Sequence, residues 1–216
     1  MLELRDATIG FGDKTLIHSI NECFAAGTIS TIQKRGVLDG GSALMQCCAG
    51  LLPLLEGEVL LNGEPIQQLS RRRLFQSLCY CHEKGGLVSL FSVYNNLALP
   101  LTYHDLYPAE EMRERIHRIA RQLQFEALLE SEPFQLNDVQ TRLVNLARAI
   151  IVDAKVILLD ELQTGMSVDM LQEIIAVLEQ LAAAGKVILM VTTTGDSDHF
   201  AQQRFVIHQQ KLERIS

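Results

Sequence analysis

A strand-like run, Thr28 to Ile32, leads directly into Gln33-Lys34-Arg35-Gly36-Val37-Leu38-Asp39-Gly40-Gly41-Ser42, and a helix-like run from Leu44 to Leu52 follows. Strand, glycine-bearing loop and helix is the order in which backbone N–H groups at a helix start can cradle phosphate. The pattern for such a loop is G-x-x-x-x-G-K-[ST]. In that frame Arg35 stands at the first glycine, Gly40 at the second, Gly41 at the lysine and Ser42 at the hydroxyl. The layout commits the chain to an α/β architecture, while the cation that should meet the phosphate is missing.

Hydrophobic periodicity supports that architecture. Leu2 to Thr8 and Leu16 to Phe24 alternate loosely around a Gly12-Asp13 turn, which predicts an antiparallel start. A short apolar helix is expected over Ala43 to Leu52, stopped by Pro53, then a strand over Glu58 to Asn62. Ser70 to Ser77 reads as a short helix and Leu78 to Cys81 as a buried strand. From Gly85 to about Pro133 the pattern turns helical, with helices over Asn95 to Leu101 and Pro108 to Gln124. The second carries Met112, Ile116, Ile119, Ala120 and Leu123 as one stripe. Further helices are expected over Val139 to Val152, with Leu143, Leu146, Ala147 and Ile150 on one face, and over Leu171 to Ala183. In the latter Leu171, Ile174, Ile175, Leu178 and Leu181 face inward, and Gly185 ends the helix. Val156 to Leu159, Val187 to Thr192 and Phe205 to His208 are apolar strands, the mark of a sheet covered on both faces. Strands alternating with helices imply right-handed crossovers and a mainly parallel sheet.

Composition closes off several classes. The 216 residues suffice for one large α/β domain. A formal net charge of −7 gives no support to nucleic-acid binding, and Arg71-Arg72-Arg73 reads as a solvated helix start. No run approaches the roughly 20 apolar residues of a membrane-spanning helix, and Met1 to Asp6 lacks a signal-peptide layout, so a cytoplasmic location is expected. The five cysteines are odd in number and lie in apolar settings, and the spacings around Cys47-Cys48 and Cys79-x-Cys81-His82 match zinc patterns poorly. Buried, unpaired thiols are expected.

The strongest chemical signal is Val156-Ile157-Leu158-Leu159-Asp160-Glu161. Four apolar residues bury a strand, and two carboxylates emerge at its C-terminal end, the edge where open α/β sheets bind ligands. An aspartate there can hold Mg²⁺ through water, and the glutamate can orient or deprotonate an attacking water.

With both motifs in place, the chain resembles the ATP-binding cassette (ABC) transporter ATPase family over nearly its whole length. Gly57 to Ile66, Val93 to Leu101, Leu146 to Ala149 and Lys155 to Glu161 carry the resemblance. The Leu87 to Leu101 stretch and the short length look most like ATPases of bacterial lipid-trafficking (Mla-type) systems. The resemblance implies a P-loop NTPase-like fold: a mainly parallel sheet core, an antiparallel N-terminal β subdomain and a helical subdomain. The expected division is 1–84 plus 134–216 for the core and β subdomain, and about 85–133 for the helical subdomain.

The resemblance also implies roles for single residues. Phe11 takes the place of the aromatic that stacks on adenine. Gly40, Gly41, Ser42 and Asp160 fall at nucleotide-binding positions, with Ser42 and Asp160 as Mg²⁺ partners and Glu161 as the catalytic carboxylate. Many positions depart from the family pattern. Gly41 replaces the lysine, Arg35 and Leu38 replace loop glycines, and Glu83 replaces a glutamine that links magnesium to the membrane partner. Leu136-Asn137-Asp138-Val139-Gln140 replaces the Leu-Ser-Gly-Gly-Gln signature, Leu162 a proline, Ser167 the D-loop aspartate and Thr193 the switch histidine. One charge-assisted bond to phosphate is worth roughly 1.5–3 kcal/mol, so these changes weigh against ATP and Mg²⁺ as working ligands. The implied protein is a degenerate, weakly hydrolysing or non-hydrolysing subunit that docks on a membrane permease at the inner face of the cell membrane. It would pair as a homodimer or as a heterodimer with another ABC ATPase. An active ATPase with unusual contacts and a soluble scaffold are the alternatives.

Overall fold

The computed structural model describes residues 1–36 and 39–215. The altered loop position Leu38 lies outside them. Two sheets organise the chain. β1 (Leu2–Phe11), β2 (Lys14–Phe24), β4 (Glu56–Leu61) and the two-residue β5 (Glu64–Pro65) form an antiparallel sheet in the order β2-β1-β4-β5. The second sheet contains β3 (Thr28–Lys34), β6 (Leu78–Cys81), β7 (Val156–Asp160), β8 (Val187–Thr193), β9 (Gln203–His208) and β10 (Lys211–Ile215). Its order is β10-β9-β3-β8-β7-β6, parallel throughout except for the β9–β10 hairpin.

The apolar strands divide their side chains between two cores, as the period of two requires. Ile32, Leu158, Leu189, Val191 and Phe205 face the antiparallel sheet and α1 (Gly41–Cys48), where Phe24 meets Phe205 edge to face at 5.7 Å. Ile29, Ile157, Leu159, Ile188 and Met190 face the other side. There they meet α3 (Val93–His104), α4 (Ala109–Gln122), α5 (Asp138–Ile151) and α6 (Val168–Ala183). The short α2 (Arg71–Ser77) begins at Ser70, whose hydroxyl accepts from the Arg73 N–H at 3.3 Å, and the three arginines occupy its exposed first turn.

Several expectations need correction. The first helix stops at Cys48 rather than Leu52. Gly50 adopts φ 69°, and the Leu51 N–H reaches back to the Gln46 carbonyl at 2.9 Å, wrapping the helix end four residues before Leu52. On α6 the fully buried residues are Ile174, Val177, Leu178 and Ala182, while Leu171, Ile175 and Leu181 are only half-buried. The stripe is thus rotated toward Val177. Helix α5 is buried on most sides rather than on one face, and Ile150, expected inward, is only half-buried. Among the thiols, Cys23 is exposed and Cys79 half-buried; all five are unpaired. Burial pushes the Cys47 thiol up to about 12 and the Cys79 thiol to about 11, so neither supplies a thiolate at neutral pH. The edge strand β10 was not anticipated, because only one of Lys211-Leu212-Glu213-Arg214 is apolar and its strand form rests on pairing with β9.

Candidate functional site

The carboxyl ends of β3 and β7 open on the same edge of the parallel sheet, with β8 between them. Lys34 on β3 stands opposite Thr193 on β8, and Asp160 on β7 opposite Val191. From this edge the chain leaves β3 and enters α1 through Gly40, whose φ of 101° only glycine adopts readily. A Cβ at Gly40 would also stand 3.0 Å from that of Leu16.

The first turn of α1 brings Ser42 against β7. Its hydroxyl donates to Asp160 Oδ1 at 3.1 Å, and the Tyr80 hydroxyl donates to Asp160 Oδ2 at 2.8 Å. The serine is therefore in register with the strand aspartate, and Gly41, one residue earlier, begins the helix where the motif has lysine. Asp160 is buried, and burial raises its carboxyl above its ordinary value against the opposing bonds from Tyr80 and Ser42. A carboxyl raised by folding contributes stability that is fully present below its unfolded value, near 4, and is lost as pH rises through the folded value. Asp160→Asn is accordingly expected to raise the melting temperature at pH 7, with the advantage shrinking toward pH 4. A constant difference across that range would contradict the assignment.

Glu161 follows at φ 50°, a left-handed conformation unusual for glutamate, with its N–H donating to the Val191 carbonyl at 3.1 Å. Its side chain is 8% exposed and forms an ion pair through Oε1 with the Lys34 ammonium, which is 16% exposed; Oε2 accepts from the Thr164 hydroxyl at 3.4 Å. Lys34, near enough in sequence to offer a substitute cation for phosphate, was not expected to pair with Glu161, and Tyr80 was given no role. For Lys34 a signal existed: it ends β3, and Glu161 directly follows β7, so both lie at the same edge of the sheet with β8 between their strands.

The loop itself holds a third anion. Asp39 Oδ2 accepts from the N–H groups of Arg35 at 2.6 Å and Gly36 at 3.2 Å, and Oδ1 from that of Gly41 at 3.3 Å. Asp39 was also missed. Phe11, at the end of β1, is 55% exposed and lines a hollow with Lys14, Lys34 and the residues from Asp39 to Ala43.

The other positions that the resemblance singles out lie elsewhere on the fold and make local hydrogen bonds or contacts. Asn137 caps α5, accepting from the Gln140 N–H at 2.8 Å while the Gln140 side chain accepts from the Asn137 N–H at 2.9 Å. This capping box keeps a helix start where the signature would be. Asp138 occupies the first turn, where the helix dipole favours a carboxylate. Val139 packs beside Gly165. Ser167 caps α6, accepting from the Met170 N–H at 3.3 Å. The Thr193 N–H and hydroxyl both donate to Asp196 Oδ2, at 2.7 and 3.0 Å. Glu83 lends its carbonyl to the buried Arg142, which also donates to the Thr164 carbonyl. Arg142 thereby ties the segment after β6 to the one after Glu161, a role absent from the sequence reading.

The model of the ABC transporter family matches residues 39–164, more than half of the chain and both carboxylate-bearing elements of the site. This chain belongs to the ABC transporter family. Its ABC relatives include the spermidine/putrescine import ATP-binding protein PotA of Pasteurella multocida, 31% identical over 74% of this chain and 42% of that protein. The intermembrane phospholipid transport system ATP-binding protein MlaF of Haemophilus influenzae is 25% identical over 85% of this chain and 70% of that protein. The chain thus spans less than half the length of the PotA proteins first matched. Among solved structures, the dimeric ABC transporter cassette MJ0796 superposes with a TM-score of 0.89 over 99% of this chain and 97% of its own, at 21% identity. A second MJ0796 structure, bound to ADP and Pi, gives a TM-score of 0.88. The parallel core and antiparallel N-terminal sheet are thus those of an ABC ATP-binding domain. Among the described residues, no helix is long and apolar enough to cross a membrane.

Proposed function

We propose that this chain is an ABC-type subunit that keeps the ATPase fold to dock on a membrane permease and does not hydrolyse ATP at the rates of its family. The observation that carries this reading is the pairing of Lys34 with Glu161 behind a loop that has glycine at position 41. Catalysis of phosphoryl transfer is chiefly positioning and charge stabilisation, supplied by a lysine on the phosphates, a metal, and a group that orients the nucleophile. Ser42 and Asp160 still suit Mg²⁺: a hydroxyl and a carboxylate, 3.1 Å apart at a strand end. The triphosphate fits less well. Lys34 neutralises the glutamate that should handle water, and Asp39 accepts from three loop N–H groups.

Docking is supported by a different region. Between α2, α3 and α5 runs a groove of about 340 Å³ lined by Phe75, Leu99, Pro100, Tyr103, His104 and Val152. Tyr103 is 74% exposed, Leu99 40% and Phe75 37%, so an apolar wall faces outward without cover from this chain. A permease loop or helix seated there would hold the subunit at the inner face of the cell membrane. PotA is named as an import ATP-binding protein and MlaF as a transport-system ATP-binding protein, which agrees with this placement. Residues 85–133 then serve as a helical subdomain on a core formed by the rest, and pairing with a second ABC subunit follows the MJ0796 dimer. The lipid-trafficking class is favoured over polyamine import by the larger share of MlaF that the chain covers.

The test is hydrolysis by the purified chain, alone and with its copurifying membrane partner. The expected result is phosphate release no faster than that of the Glu161→Gln variant. Release at rates usual for the family, abolished by Glu161→Gln, would refute the proposal.

A further inference from the structure

In a phosphate loop the backbone N–H groups between strand and helix converge on one anion. In this chain they already have one. The Asp39 carboxylate lies within the loop and accepts from Arg35 and Gly36 at the start of the loop and from Gly41 at its end, at 2.6, 3.2 and 3.3 Å. Both of its oxygens are engaged, so one side chain spans the mouth of the loop. Asp39 is half-buried, and it lines the same hollow as Phe11, Lys34, Gly41 and Ser42.

We propose that Asp39 is a built-in anion that occupies the loop's phosphate nest and holds it closed to the phosphates of a nucleotide. The inference rests on the reading of this loop as a phosphate loop, but it is separate from the missing lysine. A phosphoryl oxygen entering the nest must displace a carboxylate already bonded to the same N–H groups, and it meets that carboxylate's charge. Loss of the lysine removes an attraction; Asp39 adds a competitor. Regulation follows directly, because any partner that draws Asp39 out of the loop frees three donors together.

The alternative role for Asp39 is to shape the turn into α1. The two roles separate on substitution. Asparagine keeps an oxygen for the N–H groups but carries no charge; alanine removes both. Pyrophosphate is the probe, titrated calorimetrically into the whole chain, with circular dichroism to verify the fold. Asp39→Ala is expected to bind at least about tenfold more tightly than wild type, the effect of freeing one or more charge-assisted bonds. Its melting temperature is expected to fall without the anion and to recover when pyrophosphate is added, a recovery absent in wild type. Asp39→Asn is expected to show a smaller gain of the same sign, and it decides the matter if the alanine variant does not fold. A folded variant that binds pyrophosphate no better than wild type would overturn the inference. That outcome would leave the non-hydrolysing reading standing on Gly41 and Lys34, whereas brisk ATP hydrolysis by wild type would sink that reading without deciding the role of Asp39.

Discussion

Lys34→Ala is expected to destabilise the chain by about 3 kcal/mol, because it leaves the Glu161 carboxylate buried without its partner. Side-chain exposures of 16% and 8% place this pair well inside the protein, unlike the surface pairs Arg5–Glu3 or Lys155–Asp153. An exposed pair is worth at most about 1 kcal/mol, whereas stranding one member of a buried pair costs about 3–5. The lower end applies because Glu161 keeps the Thr164 hydroxyl, and the ammonium retains some contact with water. Urea unfolding midpoints at constant slope measure the loss. The double variant Lys34→Met with Glu161→Gln, which removes both charges, is expected to recover most of it. A loss below about 0.5 kcal/mol for Lys34→Ala, the range of ordinary surface changes, would show that the pair contributes little.

Gly41→Lys is expected to tighten Mg-ATP binding by about one to two decades, the worth of one charge-assisted bond to phosphate. The backbone accepts the side chain at small cost. Gly41 begins α1 outside the left-handed region, and the new Cβ would stand 3.2 Å from Val191 Cγ1, which must yield by a few tenths of an ångström. Hydrolysis is not expected to return with affinity. Glu161 remains tied to Lys34, and Thr193 remains bonded to Asp196. The variant therefore separates ground-state binding from transition-state stabilisation, which calls on groups that this substitution does not restore. Phosphate release that appears with Gly41→Lys and vanishes when Glu161→Gln is added would contradict this partition.

Much of the fold was legible because periodicity reports burial directly. Val156 to Leu159 and Val187 to Thr192 are apolar without a break, and both proved to be inner strands of the parallel sheet. The antiparallel start was legible from the Gly12-Asp13 turn. The boundary of α1 was not, because Pro53 is the louder stop signal, while the actual end at Cys48 depends on the turn at Gly50 and backbone bonds to Gln46 and Cys47. The α6 stripe drifted because Val177 and Ala182 gain their burial from tertiary packing, and the spacing rule alone ranks Leu171 and Ile175 equally with them.

At the site the sequence marked out Ser42 and Asp160, and the fold sets the Ser42 hydroxyl 3.1 Å from Asp160 Oδ1. It did not reveal how the groups of this loop are engaged within the chain. Lys34 and Glu161 lie 127 positions apart and meet only once β8 sets the spacing of the sheet. Asp39 sits at a position any residue can fill in the motif, so nothing marked it until its three N–H donors were seen. Tyr80, on the neighbouring strand β6, looked like core and proved to hold the second oxygen of Asp160.

If the protein's own charges already satisfy the groups that would grip a triphosphate, the wild-type chain binds Mg-ATP weakly. Calorimetric titration of Mg-ATP into the wild-type chain tests it most directly. No saturable heat is expected up to about 1 mM nucleotide, equivalent to a binding free energy weaker than about −4 kcal/mol. Saturation with a Kd near 1 µM, about −8 kcal/mol, would contradict it.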